Sequence, residues 1–490
     1  MAASEETKTQ VSAPRDVAVA LSGGGHRATV FGLGAISALL DAGLGEHLVS
    51  ISSVSGGSIA NGVLMVGPDV GTTATAEIDA HLTAALHAVA DRGVLLGGSG
   101  LNAKGLSKLL GAARRGAPAT RSYIRALFGA AALAIVALVA TIVTGFGHWW
   151  LALIVSAFVL VVAGSAAWAL FRRRSTRTGA AIDAELLGGR HVTLGQLHER
   201  AHSVHHVICT TEIQTGNSFF FTNRCVYGYQ HGGTTNALDV SLSTAVQASA
   251  CVPGAFAPRR LTIETLGLDA RPNVPAAIMV IDGGVYDNMA DEWEYNIDGR
   301  TKSWPTGMAA VQPHAARYLV VVNASGGWND PKPVGVSGLA QEIAGVSRAQ
   351  AVQYDVSTSH RRRALNAMFR TAEREHTGLD GVFVQITDSP YRLAKLFAPT
   401  PDHAVDDIAE RAAAAIAFLD AQSDYSEDAW RALAAESTAV PTTLEALGGD
   451  VTAKLFEHGY VLTKMNLFVS DGIGSLDAPI DRARLRAMCD

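Results

Sequence analysis

Residues Asp16–Ala28 read "DVAVALSGGGHRA", and a related pattern follows at Leu48–Ser58, "LVSISSVSGGS". In the first, a short β-branched run of the buried-strand type meets three glycines. Apolar residues at helical spacing then continue over Arg27–Ala42 and stop at Gly43. In the second, another strand-type run turns sharply into the helix-like "SGGSIANGVLMV". The order strand, helix, strand, helix predicts an α/β fold with a parallel sheet.

Two chemistries compete for the glycines. Gly23-x-Gly25-x-x-Ala28 satisfies the dinucleotide fingerprint between a strand and a helix. That reading also needs an acidic residue at the end of the second strand to hold the ribose. Asp41 and Glu46 both precede that strand, and its tip reads "SSVSGGS". What stands there is Ser53-Val54-Ser55-Gly56-Gly57, a candidate nucleophile elbow with Ser55 at the bend. Gly57 supplies the small residue the bend needs on one side, and Ser53 replaces the usual glycine on the other. Ser50, Ser52, Ser53 and Ser58 are nearby, but none has the elbow position. Parallel neighbours would set the loop Gly23–Gly25 beside Ser55. Its N–H groups, with that of Gly56, could then stabilise an oxyanion. Arg27 would either hold the shape of this loop, meet an anionic head group, or stand exposed at the helix start.

A serine nucleophile needs a base. Asp282 in "VIDGGVYDN" ends a buried-type strand, and Gly283 and Gly284 let the chain turn there. Asp287 falls beyond the turn and reads as a loop or capping residue. A triad histidine could come from His314, His360, His376, His403 or His458, none of which sits in a recognisable loop motif. His205, His206 and Cys209 lie together on a strand-type run, but adjacent strand residues face opposite sides and rarely converge on one metal ion.

Taken in order, "SGGGHRA", "SVSGG", "QASACVPGAFAP" (Gln247–Pro258) and "DGGVYDN" resemble the motifs of the patatin-like phospholipases. The resemblance covers about residues 16–66 and 200–325. It implies a three-layer α/β/α fold with a mostly parallel central sheet. It also implies a Ser55–Asp282 dyad without a histidine, an oxyanion hole from Gly23, Gly24, Gly25 and Gly56, and supporting roles for Arg27, Gly57, Gly283 and Gly284. The activity implied is cleavage of lipid carboxylic esters through an acyl-enzyme, of phospholipase A or lysophospholipase type, with no cofactor and no metal. An acyltransferase using the same dyad and a non-catalytic scaffold of the same fold are the alternatives.

The rest of the 490-residue chain bounds this reading. A net charge of −6 without a basic stripe gives no reason to expect nucleic acid, and four scattered cysteines make no disulfide framework. Residues 1–15 read as a polar, flexible tail. From Ala126 to Phe171 no acidic or basic side chain appears except His148. A hydrocarbon core roughly 30 Å thick takes about 20 helical residues, so the run predicts a transmembrane hairpin with helices near 126–144 and 149–171. Arginines flank it at 114, 115, 121 and 125 and at 172, 173, 174 and 177. Their bias predicts that both flanks are cytoplasmic. The expected organisation is thus a catalytic domain in two parts, 16–120 and 175–400, interrupted by the hairpin at 121–174. A helical C-terminal extension over 401–490 would either pack on the core or bind a partner. The expected partners are a lipid substrate and the bilayer of a bacterial-type plasma membrane; no protein partner is specified. Two helices without intramembrane charges make no obvious channel.

Overall fold

The structure, a computed structural model, describes residues 16–94, 129, 132, 149–237, 239–253, 255–271, 275–302, 304, 308, 311–326, 339–375, 377–398, 407–422 and 425–489. Among these residues ten strands form one sheet. They are β1 (Val17–Leu21), β2 (Leu48–Ser53), β3 (His205–Glu212), β4 (Asn217–Thr222) and β5 (Val226–Gly228), followed by β6 (Gly232–Thr234), β7 (Arg259–Thr262), β8 (Ala277–Asp282), β9 (Tyr318–Asn323) and β10 (Asp380–Gln385). The centre runs β10-β9-β1-β2-β3 and is parallel throughout, as the βαβ pattern predicts. Beyond β3 the chain turns antiparallel through β4, β5 and β6.

Helices cover both faces. Those used below are α1 (Gly25–Asp41), α2 (Gly56–Val66), α3 (Thr75–Asp91), α4 (Trp149–Leu186), α5 (Leu194–Arg200), α6 (Leu242–Ser249), α7 (Leu339–Glu375), α8 (Pro390–Phe397), α9 (Asp407–Ala421), α10 (Glu427–Ala439), α11 (Gly449–Asp471) and α12 (Arg482–Ala487). Side chains alternate across a strand, and β1 shows both sides of the layering. Val17, Val19 and Leu21 join the larger core with residues of α1, α2, α3 and α11. Ala18 and Ala20 face a smaller core with Trp293 and with Leu365 and Phe369 of α7. The C-terminal helices therefore pack on the core. The crossing of α1 with α11 is close, since a β-carbon on Gly34 would strike the Phe456 carbonyl and one on Gly459 the Phe31 carbonyl.

Two expectations meet the structure differently. Residues 1–15 and most of the expected first hairpin helix and its turn lie outside the described residues. The second arm lies in α4, which continues past Phe171 and buries Ala181, Ile182 and Leu186 against the core. Among the described residues no helix is long and apolar enough to cross a membrane.

Candidate active site

The site is built where β2 and β8 meet end to end along β3. Ser53, the last residue of β2, pairs with Ile208. On the same side of β3, Asp282 at the end of β8 pairs with Thr210. Because β2 runs parallel to β3 and β8 antiparallel, their carboxyl ends approach each other. The residues that follow or end them, Ser55 and Asp282, line one cleft of about 680 Å³.

Ser55 sits between β2 and α2 with φ 53° and ψ −117°, a backbone conformation that costs energy for any residue with a β-carbon. Such a bend holds a side chain out above the sheet. Several contacts hold it. The Ser55 N–H donates to Ser249 Oγ at 3.0 Å, and Ser249 Oγ donates to the Cys209 carbonyl at 2.6 Å. A β-carbon on Gly57 would run into the Leu21 and Ser22 backbone, and one on Gly56 into the Gly25 backbone. Ser53 is accommodated without glycine because its Oγ turns away, donating to the Val207 carbonyl at 2.9 Å and accepting from Asn61 Nδ2 at 2.9 Å.

The glycine loop needs one correction. The Gly23 N–H donates to the Asn288 carbonyl at 3.0 Å, so it is not free to serve an oxyanion. The N–H groups of Gly24, Gly25 and Gly56 donate to no acceptor among the described residues. Gly24 (φ 142°) and Gly25 (φ 61°) have the left-handed backbone that turns these amides, and Gly24 lines the cleft beside Ser55. Arg27 is buried, which removes the reading of an exposed helix-start residue. Its Nε donates to the Ala324 carbonyl at 3.0 Å and its Nη1 to the Val440 carbonyl at 2.6 Å. It thus ties the glycine loop to the segment after β9 and to the end of α10. Burial lowers its pKa to about 10, which leaves it charged at neutral pH.

Asp282 is 2 % exposed. Its Oδ1 accepts from the Gly284 N–H at 2.8 Å, which starts a tight turn over Gly283–Val285. Gly283 is required by the backbone, since a β-carbon there would strike the Cys209 carbonyl. The second oxygen, Oδ2, makes no hydrogen bond of normal geometry. Burial pushes the Asp282 carboxyl up to about 7, opposed by the nearby Ser55 hydroxyl and the Gly284 amide.

The competing residues take other positions. Asp287 accepts from the N–H groups of Met289 and Glu292 at 2.9 Å and 2.7 Å and so caps its loop. His458 is buried in α11 against the Asp388 carbonyl, while His376 and His403 lie outside the described residues. No histidine lines the cleft among the described residues. His205 packs edge-on against Trp293 and His206 pairs with Asn61 Oδ1 at 2.7 Å. Among the described residues no group of histidine, cysteine and acidic side chains could hold a metal ion.

Three residues at the site escaped the sequence reading. Ser249 and Asn288 stand inside the motifs "QASACVPGAFAP" and "DGGVYDN" but carry no chemistry visible in one dimension. Asn288 Nδ2 donates to Ser325 Oγ at 2.7 Å, and the Asn288 side chain lines the cleft. Tyr354 arrives from α7 with no local signal at all.

A family model described as "Patatin-like phospholipase" matches residues 19–290. No curated protein matches the chain. Among solved structures, a human GIVD cytosolic phospholipase A2 is similar at 10% identity and a TM-score of 0.42, over 97% of this chain and 60% of that one. VipD from Legionella pneumophila is similar at 15% identity and a TM-score of 0.27, over 96% and 93%. The ExoU–SpcU complex of Pseudomonas aeruginosa is similar at 14% identity and a TM-score of 0.22, over 92% and 74%. The chain spans about 60% of the length of the human protein.

Proposed function

The chain belongs to the patatin-like phospholipase family, and from that premise we propose that it is a lipid ester hydrolase that works through Ser55 and Asp282 while held at a membrane. The observation that carries this reading is the end-to-end meeting of β2 and β8, which puts a strained serine and a buried carboxyl in one cleft.

Ser55 Oγ attacks the ester carbonyl as its proton passes to Asp282. Negative charge developing on the carbonyl oxygen is met by the Gly24 N–H, with those of Gly25 and Gly56 behind it. Losing one such donor typically costs about 100-fold in rate. The carbonyl–alkoxide bond then breaks, and the departing oxygen takes the proton from Asp282. Water hydrolyses the acyl-enzyme with Asp282 again as base, releasing a fatty acid and restoring Ser55. An alcohol in place of water would give acyl transfer by the same steps.

The membrane part of the proposal rests on the uncharged run Ala126–Phe171 between its arginine flanks. Phe158 and Val161 of α4 are 68% and 65% exposed, large apolar side chains suited to lipid. Both flanks then lie on the cytoplasmic side of a bacterial-type plasma membrane, and the enzyme meets its lipid without a separate binding step.

Labelling with a fluorophosphonate probe tests the dyad. Wild type is expected to label, and Ser55→Ala and Asp282→Asn to lose labelling by about 100-fold or more. Undiminished labelling of Ser55→Ala would remove Ser55 as nucleophile. Labelling that survives in Asp282→Asn would point to another base. A wild-type protein that neither labels nor cleaves any lipid ester would favour the scaffold reading.

A further inference from the structure

Helix α7 lies beyond the residues that the family model matches, yet its polar face closes one side of the cleft through Tyr354, Thr358, Ser359 and Arg362. Tyr354 reaches furthest towards the chemistry. Its hydroxyl oxygen lies 2.9 Å from the point that a β-carbon on Gly284 would occupy, and Asp282 Oδ1 lies 2.9 Å from the same point. The two oxygens are therefore no further apart than twice that distance, and with no side chain on Gly284 they border the same space, as does Asn288 Oδ1, 2.6 Å from that point. The Tyr354 side chain is half-buried, and its hydroxyl makes no hydrogen bond with the described residues. Burial and the neighbouring Asp282 both raise its pKa, so it keeps its proton at every working pH.

A donor without an acceptor, on the Asp282 side of the cleft, has a specific use. The oxyanion donors come from the loop after β1 and the start of α2. The departing oxygen, in contrast, must touch the group that returns its proton, which is Asp282. Resting on the Ser55–Asp282 reading above, we propose that Tyr354 is a further catalytic residue whose hydroxyl donates a hydrogen bond to the oxygen of the departing alcohol. As the carbonyl–oxygen bond breaks, the electron pair stays on that oxygen and the proton comes from Asp282. Tyr354 keeps its own proton throughout. Its hydrogen bond therefore matters most for alkoxides, which are poor leaving groups, and least for anions that are stable without a proton. Glycerolipid alcohols belong to the first class.

The experiment compares two esters of the same acyl chain, a monoacylglycerol and a p-nitrophenyl ester, on wild type and Tyr354→Phe. The value of kcat/KM reports acylation for both. The variant is expected to lose about 100-fold on the monoacylglycerol, the scale of one transition-state hydrogen-bond donor, and less than about 3-fold on the nitrophenyl ester, whose phenolate needs no such help. Its rate of fluorophosphonate labelling, where fluoride departs, is expected to stay within about 3-fold of wild type. Equal losses on both esters, or no loss on either, would overturn the assignment, and so would lost labelling, which would mark Tyr354 as a packing residue. Ser55→Ala in parallel keeps the two readings apart. Turnover surviving in that variant sinks the nucleophile, whereas Ser55 dependence with unchanged leaving-group behaviour in Tyr354→Phe sinks only the role of the tyrosine.

Discussion

Burial raises the Asp282 pKa to about 7, so its carboxyl takes up a proton as pH falls through that value, and in the proposed mechanism it can then no longer accept the Ser55 proton. A base acts in its ionised form, so in that mechanism the active form gains population as pH rises. We expect kcat/KM on a nitrophenyl ester to climb tenfold per pH unit at acid pH and to level off above an apparent pKa near 7. A limb near the ordinary carboxylate value would mean that Asp282 is solvated when substrate is bound. Ser249 is a second test at this scale. Its Oγ takes the N–H of the strained Ser55 and is itself buried. Ser249→Ala leaves that N–H unpaired, at a cost of about 1–3 kcal/mol. A lowered midpoint in thermal or urea unfolding should accompany slower fluorophosphonate labelling; unchanged values for both would show that the elbow holds itself. Ser53 illustrates what one sequence conceals. It stands where such an elbow usually has glycine, and the hydrogen bonds to Val207 and Asn61 show where the extra hydroxyl goes.

At the scale of elements, the six central and site-bearing strands β1, β2, β3, β8, β9 and β10 are legible as buried apolar runs. The strands β4 to β7 are not, being short or mixed in polarity, and neither is the direction of β8. Direction matters here, because only an antiparallel β8 brings Asp282 to the end of β2. Helix α7 is also silent in the sequence. It is largely polar, and Leu365 and Phe369 are among the side chains it buries. The crossing of α1 and α11 gives a prediction of its own. Gly34 and Gly459 let the two backbones touch, so Gly459→Val must push the helices apart. Overpacking of this kind costs about 1–3 kcal/mol or more, and it should appear as a lowered unfolding midpoint. A variant as stable as wild type would mean that the helices separate freely. Since α1 carries the glycine loop at its start, labelling of Ser55 should slow as well.

For the whole molecule, the proposed anchor and the core are expected to be separable. Among the described residues the core is closed by the sheet, by the C-terminal helices and by the end of α4 after Phe171. Deleting 126–171 removes an apolar run of sequence long enough for two bilayer spans. The shortened protein should move from the membrane fraction to the soluble one while still hydrolysing a nitrophenyl ester. Retention in the membrane fraction after an alkaline carbonate wash would show that another surface holds it.

The sequence by itself determined the parallel βαβ start, the serine elbow, the glycine loop and the Asp282 turn. Each is a demand of the local backbone, met by small residues within a few positions of one another, and such demands are visible in one dimension. Only the tertiary structure decided that the Gly23 amide is committed to Asn288 and that Arg27 is buried across three segments. It likewise decided that Ser249 steadies Ser55 and that Tyr354 faces Asp282. These depend on contacts between residues far apart along the chain, as with Arg27 and Ala324 or Ser55 and Ser249. Spacing and polarity carry no trace of such contacts, because they arise only when strands of opposite direction and helices from both ends close around one cleft.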